Sequence, residues 1–401
     1  MPTIAAGSHS LKIVLWSHFV PAYDTWFDKW AKDWGSSNKV DVTVDHIPTN
    51  TVPTRMSAEV SANSGHDLVQ FQNGSDVHVF SDKLNDVTDL SGYLASKYGG
   101  WAEVAKDAAV VNGAWKGVPQ YLIRFPSMYR KDLFDQEGLQ APKVWEDLIN
   151  VGEKLKPKGH PVGFAISQTG DSNSTLYSIL WSYGGSVTGK DGKTITIKSD
   201  GTKAALEAVQ KIFKAGMTNE VLSWDDSSNN RYLASGVACY ILNPISAYRS
   251  APQDIQDKTA IALTPAGPAG DFVNCPIYTW AIPTWTKEKP AAEKFLVDFY
   301  ADWKAGFEAS TGYNHPLLLD MTKKPMPVLG ADPKLQVLQD FLPLARTIGY
   351  PGPATAAAGQ VNNTYVIPNM FAKAVTGSSA DDAMAWAEEQ IKAVYDKYPT
   401  T

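Results

Sequence analysis

Near its beginning the chain carries the apolar run LKIVLW at residues 11–16, which has the length of a single buried β-strand. The apolar residues that come next are spaced three or four positions apart, as on one face of an α-helix: Tyr23, Trp26, Phe27, Trp30 and Trp34. The spacing predicts that a helix follows the first strand and packs its aromatic face into a core.

The segment after this helix continues the pattern. Val40, Val42 and Val44 alternate with polar residues like a second strand, a mostly polar helix is predicted over 51–63, and DLVQF at 67–71 predicts a third strand. Strands that alternate with helices favour parallel βαβ units, so the predicted fold class is α/β. Ligands of such sheets bind outside the carboxyl ends of the strands. The loops expected there are 17–21, 48–51 and 72–76.

The composition narrows the classes of function. With 401 residues, of which 44% are apolar, the chain is too long for one ordinary core, and two lobes are expected. The formal net charge of −6 and the lack of a Lys/Arg run argue against a nucleic-acid partner, and no apolar stretch has the length of a membrane span. The 13 Trp, 17 Tyr and 14 Phe include several in loops, which indicates aromatic-lined recognition of a ligand.

Signatures of catalysis, metals and cofactors are missing from the sequence. GKT at 192–194 resembles the end of a phosphate loop, but Val187 stands where the first glycine belongs, so a turn is predicted there. The seven His residues never fall at metal-ligand spacing on a helix. The best acidic pair, Asp225-Asp226, lies in a Ser/Asn loop and is expected to cap a helix. The sequence therefore predicts no enzyme activity, no cofactor and no metal.

A family resemblance is carried by the second block of the chain. YRKDLF at 129–134, Gly138-Leu139, Pro142 and WEDL at 145–148 resemble the solute-binding proteins of bacterial ABC importers, the carbohydrate type that includes maltose-binding protein. Further stretches agree with this family in order and spacing: Asp67-Leu68-Val69, SGVA at 235–238 with Asn243-Pro244, 272–283, and GYNHP at 312–316. Together they cover most of the chain, although the lipoprotein cysteine or signal common in the family is absent.

The resemblance implies a two-lobed periplasmic-binding-protein fold of type II, with a mainly parallel sheet flanked by helices in each lobe and the ligand cleft at the hinge. The N-terminal lobe is then expected to hold residues 11–118 and 281–321, and the C-terminal lobe 124–276 and 333–401. Hinge crossings are expected at 119–123, 277–280 and 322–332. In such a fold the lobes move as rigid bodies, and the ligand shifts the equilibrium between open and closed forms.

The same resemblance implies a receptor without catalysis. The expected ligand is a small-molecule solute, a mono- or oligosaccharide, which a monomer delivers to the membrane permease of an ABC importer. The chain opens MPTIAAGSHS, with no basic region and no long apolar stretch. The expected location is therefore the periplasm or a tether at the cell surface, with the signal absent from this sequence.

A sugar offers apolar C–H faces and many hydroxyls, so its site needs flat aromatic rings and planar polar side chains. In the first lobe, the candidates that end or follow a strand are Trp16, His18, Asn50, Phe71, Gln72 and Asn73. A turn at Asn73-Gly74 competes with ligand binding by Gln72 and Asn73, and Asn50 is equally suited to capping the next helix.

The remaining candidates lie near the crossings and in the second lobe. Tyr278 and Trp280 alternate along one strand and are expected to share a face. If that face is the cleft, Trp280→Ala would weaken sugar binding without changing the melting point. The other candidates are Arg124, Ser172, Asn173, Trp181, Tyr183, Asn243, Asn314 and Tyr350. For Trp181 or Tyr183 a place in a helix core competes, and Arg124 suits either an ion pair across the hinge or a bidentate bond to the ligand.

Other ligands of the same fold stay open at this point. A sugar acid would suit Arg124, His18 or a helix N-terminus, whereas a polyamine calls for several acidic residues where the candidate loops carry mainly amides; a peptide is a further alternative. A carbohydrate-active hydrolase would need two essential carboxylates in the aromatic cleft. Cys239 and Cys275 either pair or lie free as small apolar residues.

Overall fold

The computed structural model describes residues 2–48 and 51–398. The chain divides into two compact units. Unit 1 comprises the chain up to Ile123 together with Pro276–Ala331, and unit 2 comprises Arg124–Cys275 and the chain from Asp332 onward. The chain changes unit at or next to the three crossings predicted from the sequence; that these segments act as hinges stays a prediction.

The elements of the first half follow the chain in this order. Up to Ile123 they are β1 (His9–Trp16), α1 (Pro21–Asn38), β2 (Val40–Ile47), α2 (Val52–Ala62), β3 (Leu68–Phe71), α3 (Gly74–Val79), α4 (Thr88–Lys97), α5 (Glu103–Ala109), β4 (Val110–Val111), β5 (Ala114–Trp115) and β6 (Val118–Leu122). In the first part of unit 2 they are β7 (Ser127–Arg130), α6 (Lys131–Gln136), α7 (Asp147–Leu155), β8 (Val162–Gly163), α8 (Gly170–Ser182), α9 (Asp200–Gly216), α10 (Ser228–Ala234), β9 (Tyr240–Leu242), α11 (Ser246–Ser250), α12 (Gln253–Lys258), β10 (Thr259–Ala262) and β11 (Val273–Asn274).

The second half returns to unit 1 and ends in unit 2. The return to unit 1 contributes β12 (Ile277–Ala281), α13 (Lys289–Ala301), α14 (Trp303–Ala309) and β13 (His315–Pro316). The last part of unit 2 contributes β14 (Ala345–Arg346), α15 (Ala356–Asn363), α16 (Val366–Val375) and α17 (Ala380–Lys397). Among the described residues, no helix is both long enough and apolar enough to cross a membrane.

Unit 1 is built on a six-stranded sheet in the order β13-β6-β12-β3-β1-β2. β1 pairs in parallel with both β2 and β3, as the strand–helix–strand pattern predicts. β12 returns from unit 2 and inserts between β3 and β6, antiparallel to both. The sheet is therefore mixed rather than mainly parallel, because the returning strand enters it from the opposite end.

Unit 2 has a smaller sheet in the order β10-β7-β9-β8, in which β8 and β9 run parallel and the other neighbours are antiparallel. The α/β fold class predicted from the sequence is confirmed. The turn predicted at 192–194 lies between Thr188 and Ile195, which form one isolated β-bridge. Asp191 accepts hydrogen bonds from the backbone N–H groups of Lys193 and Thr194, which holds this segment in a turn.

Helix α8 begins at Gly170 behind a capping side chain. Thr169 caps the helix, since its Oγ1 accepts the backbone N–H of Ser172 at 3.2 Å. Ser172 and Asn173, which the sequence analysis names as candidate ligand contacts, consequently lie in the first turn of the helix.

The aromatic face of α1 packs as its spacing predicts. Phe27 is fully buried and meets Phe295 and Phe299 of α13 edge to face, at 6.2 and 5.6 Å between ring centroids. Trp34 is 6% exposed and makes a similar contact with Phe295 at 5.0 Å. These contacts fix α1 and α13 on the same side of the sheet of unit 1.

Both cysteines are buried and free in unit 2. Burial raises the pKa of the Cys239 and Cys275 thiols, which disfavours the reactive thiolate. We expect the native protein to resist alkylation by iodoacetamide and the unfolded protein to take up one group on each cysteine. Intact mass without reductant should equal that of the reduced chain; a mass lower by two hydrogens would show a disulfide instead.

Candidate functional site

One edge of the sheet of unit 1 collects the carboxyl ends of β1, β3 and β6, which run in the same direction. The amino ends of β12 and β13 reach the same edge, because both strands are antiparallel to β6. Trp16, Tyr121, Tyr278 and Asn314 lie at or beside these strand ends. Ligands of open α/β sheets bind outside such an edge.

Three aromatic rings meet at this edge. The indole Nε1–H of Trp16 donates a hydrogen bond of 3.0 Å to the hydroxyl of Tyr121. Tyr278 stacks on Tyr121 with 4.7 Å between ring centroids and lies 5.1 Å from the ring of Trp16. Tyr278 is 7% exposed and the other two rings 1%. The structure thus brings together two predicted residues, Trp16 and Tyr278, and adds Tyr121, which the sequence analysis missed.

His18 is held as a neutral ring beside this group. Its Nδ1 accepts the backbone N–H of Val20 at 2.8 Å, so the proton resides on Nε2, which donates to Oδ1 of Asn314 at 2.9 Å. Burial lowers the pKa of His18 to about 4. The hydrogen bond joins two predicted residues, His18 and Asn314, and at neutral pH the imidazole carries no charge.

Phe19 is an aromatic residue of the same loop that the sequence analysis did not select. It is 36% exposed, and its ring meets Trp16 edge to face at 5.3 Å. An exposed phenyl ring that is braced by a buried indole offers a flat apolar surface to a ligand. Phe19 could have been predicted as a ligand contact from its position directly after Trp16-Ser17-His18 in a strand-end loop.

We expect Phe19→Ala to weaken binding of a neutral sugar about tenfold, because the variant removes a stacking surface. The melting temperature of the free protein should change little, since the ring is exposed. Isothermal titration calorimetry measures the affinity, and Leu319→Ala, which truncates another exposed apolar residue of unit 1, is the matched control. Unchanged affinity in Phe19→Ala would exclude this ring from the site.

Other candidates of unit 1 lie in its interior or outside the description. Phe71 is fully buried in a core cluster and stacks on Phe80 at 5.6 Å. Gln72 is 4% exposed, and Asn73 is the N-cap position of α3, so a helix begins where the sequence suggested a turn at Asn73-Gly74. Asn50 lies outside the described residues. Their contact with a ligand stays a prediction.

The expectation for Trp280 needs correction. Trp280 is 0% exposed, stacks on Phe27 of α1 at 6.0 Å, and meets Phe299 of α13 at 6.2 Å. The helices that cover the sheet thus enclose this ring, whereas Tyr278 lies two residues nearer the strand end. A register shift between Tyr278 and Thr279 further separates the surroundings of the two rings. Trp280 is a core residue of unit 1.

A cavity of about 40 Å³ lies behind Asn314 inside unit 1. It is lined by Tyr23, Trp26, Gln120, Phe299, Tyr300, Trp303, Gly306, Phe307, Asn314, Pro316 and Met321. Ligand pockets usually measure about 300–1,000 Å³, so this cavity is too small for a sugar. At the strand-end edge, the exposed side chain of Phe19 is accessible to a solute.

Unit 2 presents a corresponding edge at the carboxyl ends of β8 and β9, which run parallel. Helix α8 starts beyond β8, and Asn243 directly follows β9. The side chains of Asp171, Asn229 and Asn243 form a hydrogen-bonded cluster here. Asn229 Nδ2 donates to Asp171 Oδ2 at 2.7 Å and to Asn243 Oδ1 at 2.8 Å. We call these three residues with Asp226 the acid–amide cluster.

Asp226 joins this cluster through the backbone. Its Oδ1 accepts the N–H of Asp171 at 3.1 Å, in the first turn of α8. Burial raises the pKa of Asp171 well above its usual range, and the nearby carboxylate of Asp226 raises it further. Asp225, by contrast, accepts hydrogen bonds from Ser227 and Ser228 at the start of α10, as the capping hypothesis expects.

Of the acid–amide cluster, Asn243 was predicted from the sequence as a ligand contact and the other three members were not. Ser172 and Asn173, which were selected, directly follow Asp171 in α8 and are buried. The signal available for Asp171 was its place beside them. Asp226 was considered with Asp225 as an acidic pair and was predicted to cap a helix; its bond to a residue 55 positions earlier in the chain was not predicted.

The remaining candidates of unit 2 do not join the acid–amide cluster. Trp181 lies near the far end of α8, about 15 Å from Asp171 at 1.5 Å per residue, and Tyr183 directly follows the helix at about 18 Å. Trp181 is 1% exposed and meets Tyr350 edge to face at 5.4 Å, and the hydroxyl of Tyr183 donates to Glu146. The helix-core explanation of Trp181 and Tyr183 therefore fits the structure better than a shared site with Asn243.

Arg124 is 2% exposed, and its Nη1 donates to the carbonyl of Leu338 at 3.1 Å within unit 2. Burial lowers its pKa to about 9, so it stays charged at neutral pH. Within residues 2–48 and 51–398, no group of three or more His, Cys, Asp or Glu side chains is placed to hold a metal ion.

Comparison with known proteins places these features in a family. The model of the bacterial extracellular solute-binding protein family matches residues 20–303. A protein of Brucella abortus (strain 2308) that is named only as a binding protein is 24% identical over 282 residues, 68% of each chain.

Solved structures agree in fold. Maltose-bound MalE3 of T. maritima superposes with a TM-score of 0.82 at 20% identity, over 96% of this chain and 99% of that one. A sugar transporter protein of Arthrobacter chlorophenolicus A6 with bound laminaribiose gives 0.83 at 22% identity, over 96% and 99%. The predicted periplasmic-binding-protein fold is thereby confirmed. Since the family model matches well over half of the chain, the chain belongs to the bacterial extracellular solute-binding proteins.

Proposed function

We propose that this protein is a receptor that captures a mono- or oligosaccharide and delivers it to the permease of an ABC importer. The observation that carries the proposal is the aromatic group at the strand-end edge of unit 1, where exposed Phe19 is braced by Trp16 and Tyr278 lies beside them. Flat rings of this kind match the C–H faces of a sugar. The acid–amide cluster of unit 2 supplies planar groups that bind hydroxyls.

Relatives of the same fold support a carbohydrate ligand. The structures compared above carry maltose and laminaribiose. We infer that the two units act as lobes that close on the sugar, with hinges at 119–123, 277–280 and 322–332. The protein would act as a monomer, in the periplasm or tethered to the cell surface, and without catalysis.

A screen by thermal shift tests the proposal directly. A ligand that binds only the folded state stabilises it by about 2.7 kcal/mol at a hundredfold excess over its Kd. We expect a shift with neutral mono- or oligosaccharides, and nuclear magnetic resonance of the same samples should show the sugar unchanged after prolonged incubation. Conversion of the sugar would favour a hydrolase. If no sugar raises the melting temperature and a peptide does, the carbohydrate proposal is wrong.

A cationic solute such as a polyamine is a second candidate, because Asp171 and Asp226 place two carboxyl groups at the edge of unit 2. The sequence analysis had found mainly amides there. The same screen includes spermidine, and a shift with spermidine alone would favour this second candidate.

A further inference from the structure

The acid–amide cluster has a property that bears on the charge of the ligand. Its carboxyl groups lie at the start of α8, and the backbone N–H of Asp171 already donates to Asp226. The next N–H, that of Ser172, donates to the Thr169 hydroxyl. A helix N-terminus attracts anions, and at α8 a carboxylate of the protein itself takes up that role.

The cluster also contains a buried acceptor that no described residue satisfies. Asn229 is 0% exposed, and its Nδ2 donates two hydrogen bonds, one to Asp171 and one to Asn243. Within the part of the chain that the structure describes, its Oδ1 accepts no hydrogen bond. Because Oδ1 and Nδ2 belong to one amide, this oxygen lies beside the carboxyl group of Asp171. A buried acceptor without a partner is costly, and a hydroxyl donor of a ligand would satisfy it.

The other groups that sequence reasoning offered to an anionic ligand are engaged or uncharged. His18 is neutral, with both ring nitrogens in hydrogen bonds to Val20 and Asn314. Arg124 is buried against the carbonyl of Leu338 in its own unit. Asp226 and Asp225 both act to raise the pKa of Asp171, and Asp225 is itself paired with Arg231 at 3.1 Å.

We propose that the acid–amide cluster binds hydroxyl groups and makes this receptor select neutral sugars over sugar acids. This inference rests on the proposed function and deepens it by naming the class of sugar. Carboxylate and amide oxygens accept hydroxyl protons in pairs, whereas a ligand carboxylate would meet like charge in a site that solvent screens poorly.

Calorimetry with matched ligands tests this selectivity. The probes are glucose with glucuronate, galactose with galacturonate, and maltose with maltobionate, each titrated into the full chain. The protein should bind the neutral member of at least one pair and its acid at least about thirtyfold more weakly. Equal or tighter binding of the acid would overturn the inference.

The variant Asp226→Asn tests whether the acid–amide cluster causes the selectivity. Asp226→Asn keeps an oxygen that accepts the N–H of Asp171 but removes the charge. We expect the variant to bind the neutral sugar about tenfold more weakly and to discriminate against the acid about tenfold less. Asp254→Asn, which changes an exposed aspartate of unit 2, is the control. If Asp226→Asn leaves both affinities unchanged, the assignment is wrong.

The outcome also separates this inference from the proposed function. Binding of sugar acids with no preference for neutral sugars would overturn the selectivity and leave the carbohydrate receptor standing. Binding of spermidine or a peptide without any sugar would overturn the receptor proposal, and the selectivity with it.

Discussion

Truncation of Trp280 to alanine is expected to lower the free energy of unfolding by about 3–5 kcal/mol, as large truncations in a packed core do. The ring is fully buried between the sheet of unit 1 and the helices that carry Phe27 and Phe299. Its removal leaves a cavity that these two rings cannot fill without moving. Urea denaturation followed by circular dichroism measures the loss.

The affinity of the folded variant for a sugar should stay within about threefold of the parent, because Trp280 lies in the core rather than at the strand-end edge. Trp386→Ala is a suitable control, since this tryptophan is partly exposed and packs against Lys373. The control should lose about 1 kcal/mol or less. A Trp280→Ala protein with parental stability and weakened sugar binding would return Trp280 to the ligand site.

Tyr278 and Trp280 illustrate which part of the structure the sequence predicts and which part it does not. The strand itself was predicted from its apolar alternation, and it is present as β12. Alternation places the two residues on a strand but does not tell where covering helices begin. Which of the two rings is covered depends on the packing of α1 and α13. These helices are distant from one another in the chain and meet through Phe27 and Phe299.

The site was predictable where local pattern determines it. Strand ends in an α/β sheet direct attention to Trp16 and His18, and the structure joins both to further candidates through Tyr278 and Asn314. The acid–amide cluster was only partly predictable. Its bonds link three segments that are far apart in the sequence, and no local pattern distinguishes Asp226, which binds α8, from its neighbour Asp225, which binds the start of α10.

Unit 1 also contains a buried charge network that makes stability depend on pH. His66 is 5% exposed, and its two ring nitrogens face carboxylates: Nδ1 lies 2.5 Å from Glu59 and Nε2 lies 3.0 Å from Asp45. Arg55 adds a hydrogen bond of 2.7 Å to Glu59. Two carboxylate acceptors require two N–H donors, so the folded protein favours the charged imidazolium.

Folding lowers the pKa of Glu59 and raises the pKa of His66. Partial burial works to raise the pKa of Glu59, but hydrogen bonds from His66 and Arg55 outweigh it and bring the pKa from 4.5 to about 2. For His66, burial works to lower the pKa, and the bonds to Glu59 and Asp45 outweigh it and raise the pKa above 6.5. The Glu59 contribution is complete above pH 4.5 and is lost as pH falls towards 2. The His66 contribution is complete below pH 6.5 and is lost as pH rises through the raised pKa.

The network therefore stabilises unit 1 most between pH 4.5 and 6.5. The shift of Glu59 corresponds to about 3 kcal/mol at full strength, and solvent around the half-exposed Arg55 and Asp45 reduces this to about 2 kcal/mol. We expect Glu59→Gln to lose that amount near pH 5.5 and progressively less towards pH 3, because Glu59 of the unfolded parent protonates below pH 4.5. Urea titrations at a series of pH values measure the difference.

Glu103→Gln provides the control for this series, because Glu103 forms an exposed pair with Lys106 and should change stability by less than about 0.5 kcal/mol at any pH. The Glu59 and Glu103 variants remove the same charge from the same unit, so a difference between them reflects burial and the contacts to His66. If the pH profile of Glu59→Gln runs parallel to that of the parent from acid to neutral pH, the carboxylate does not titrate with folding. The charged His66 would then have to be stabilised by Asp45 alone, and Asp45→Asn should produce the loss in place of Glu59→Gln.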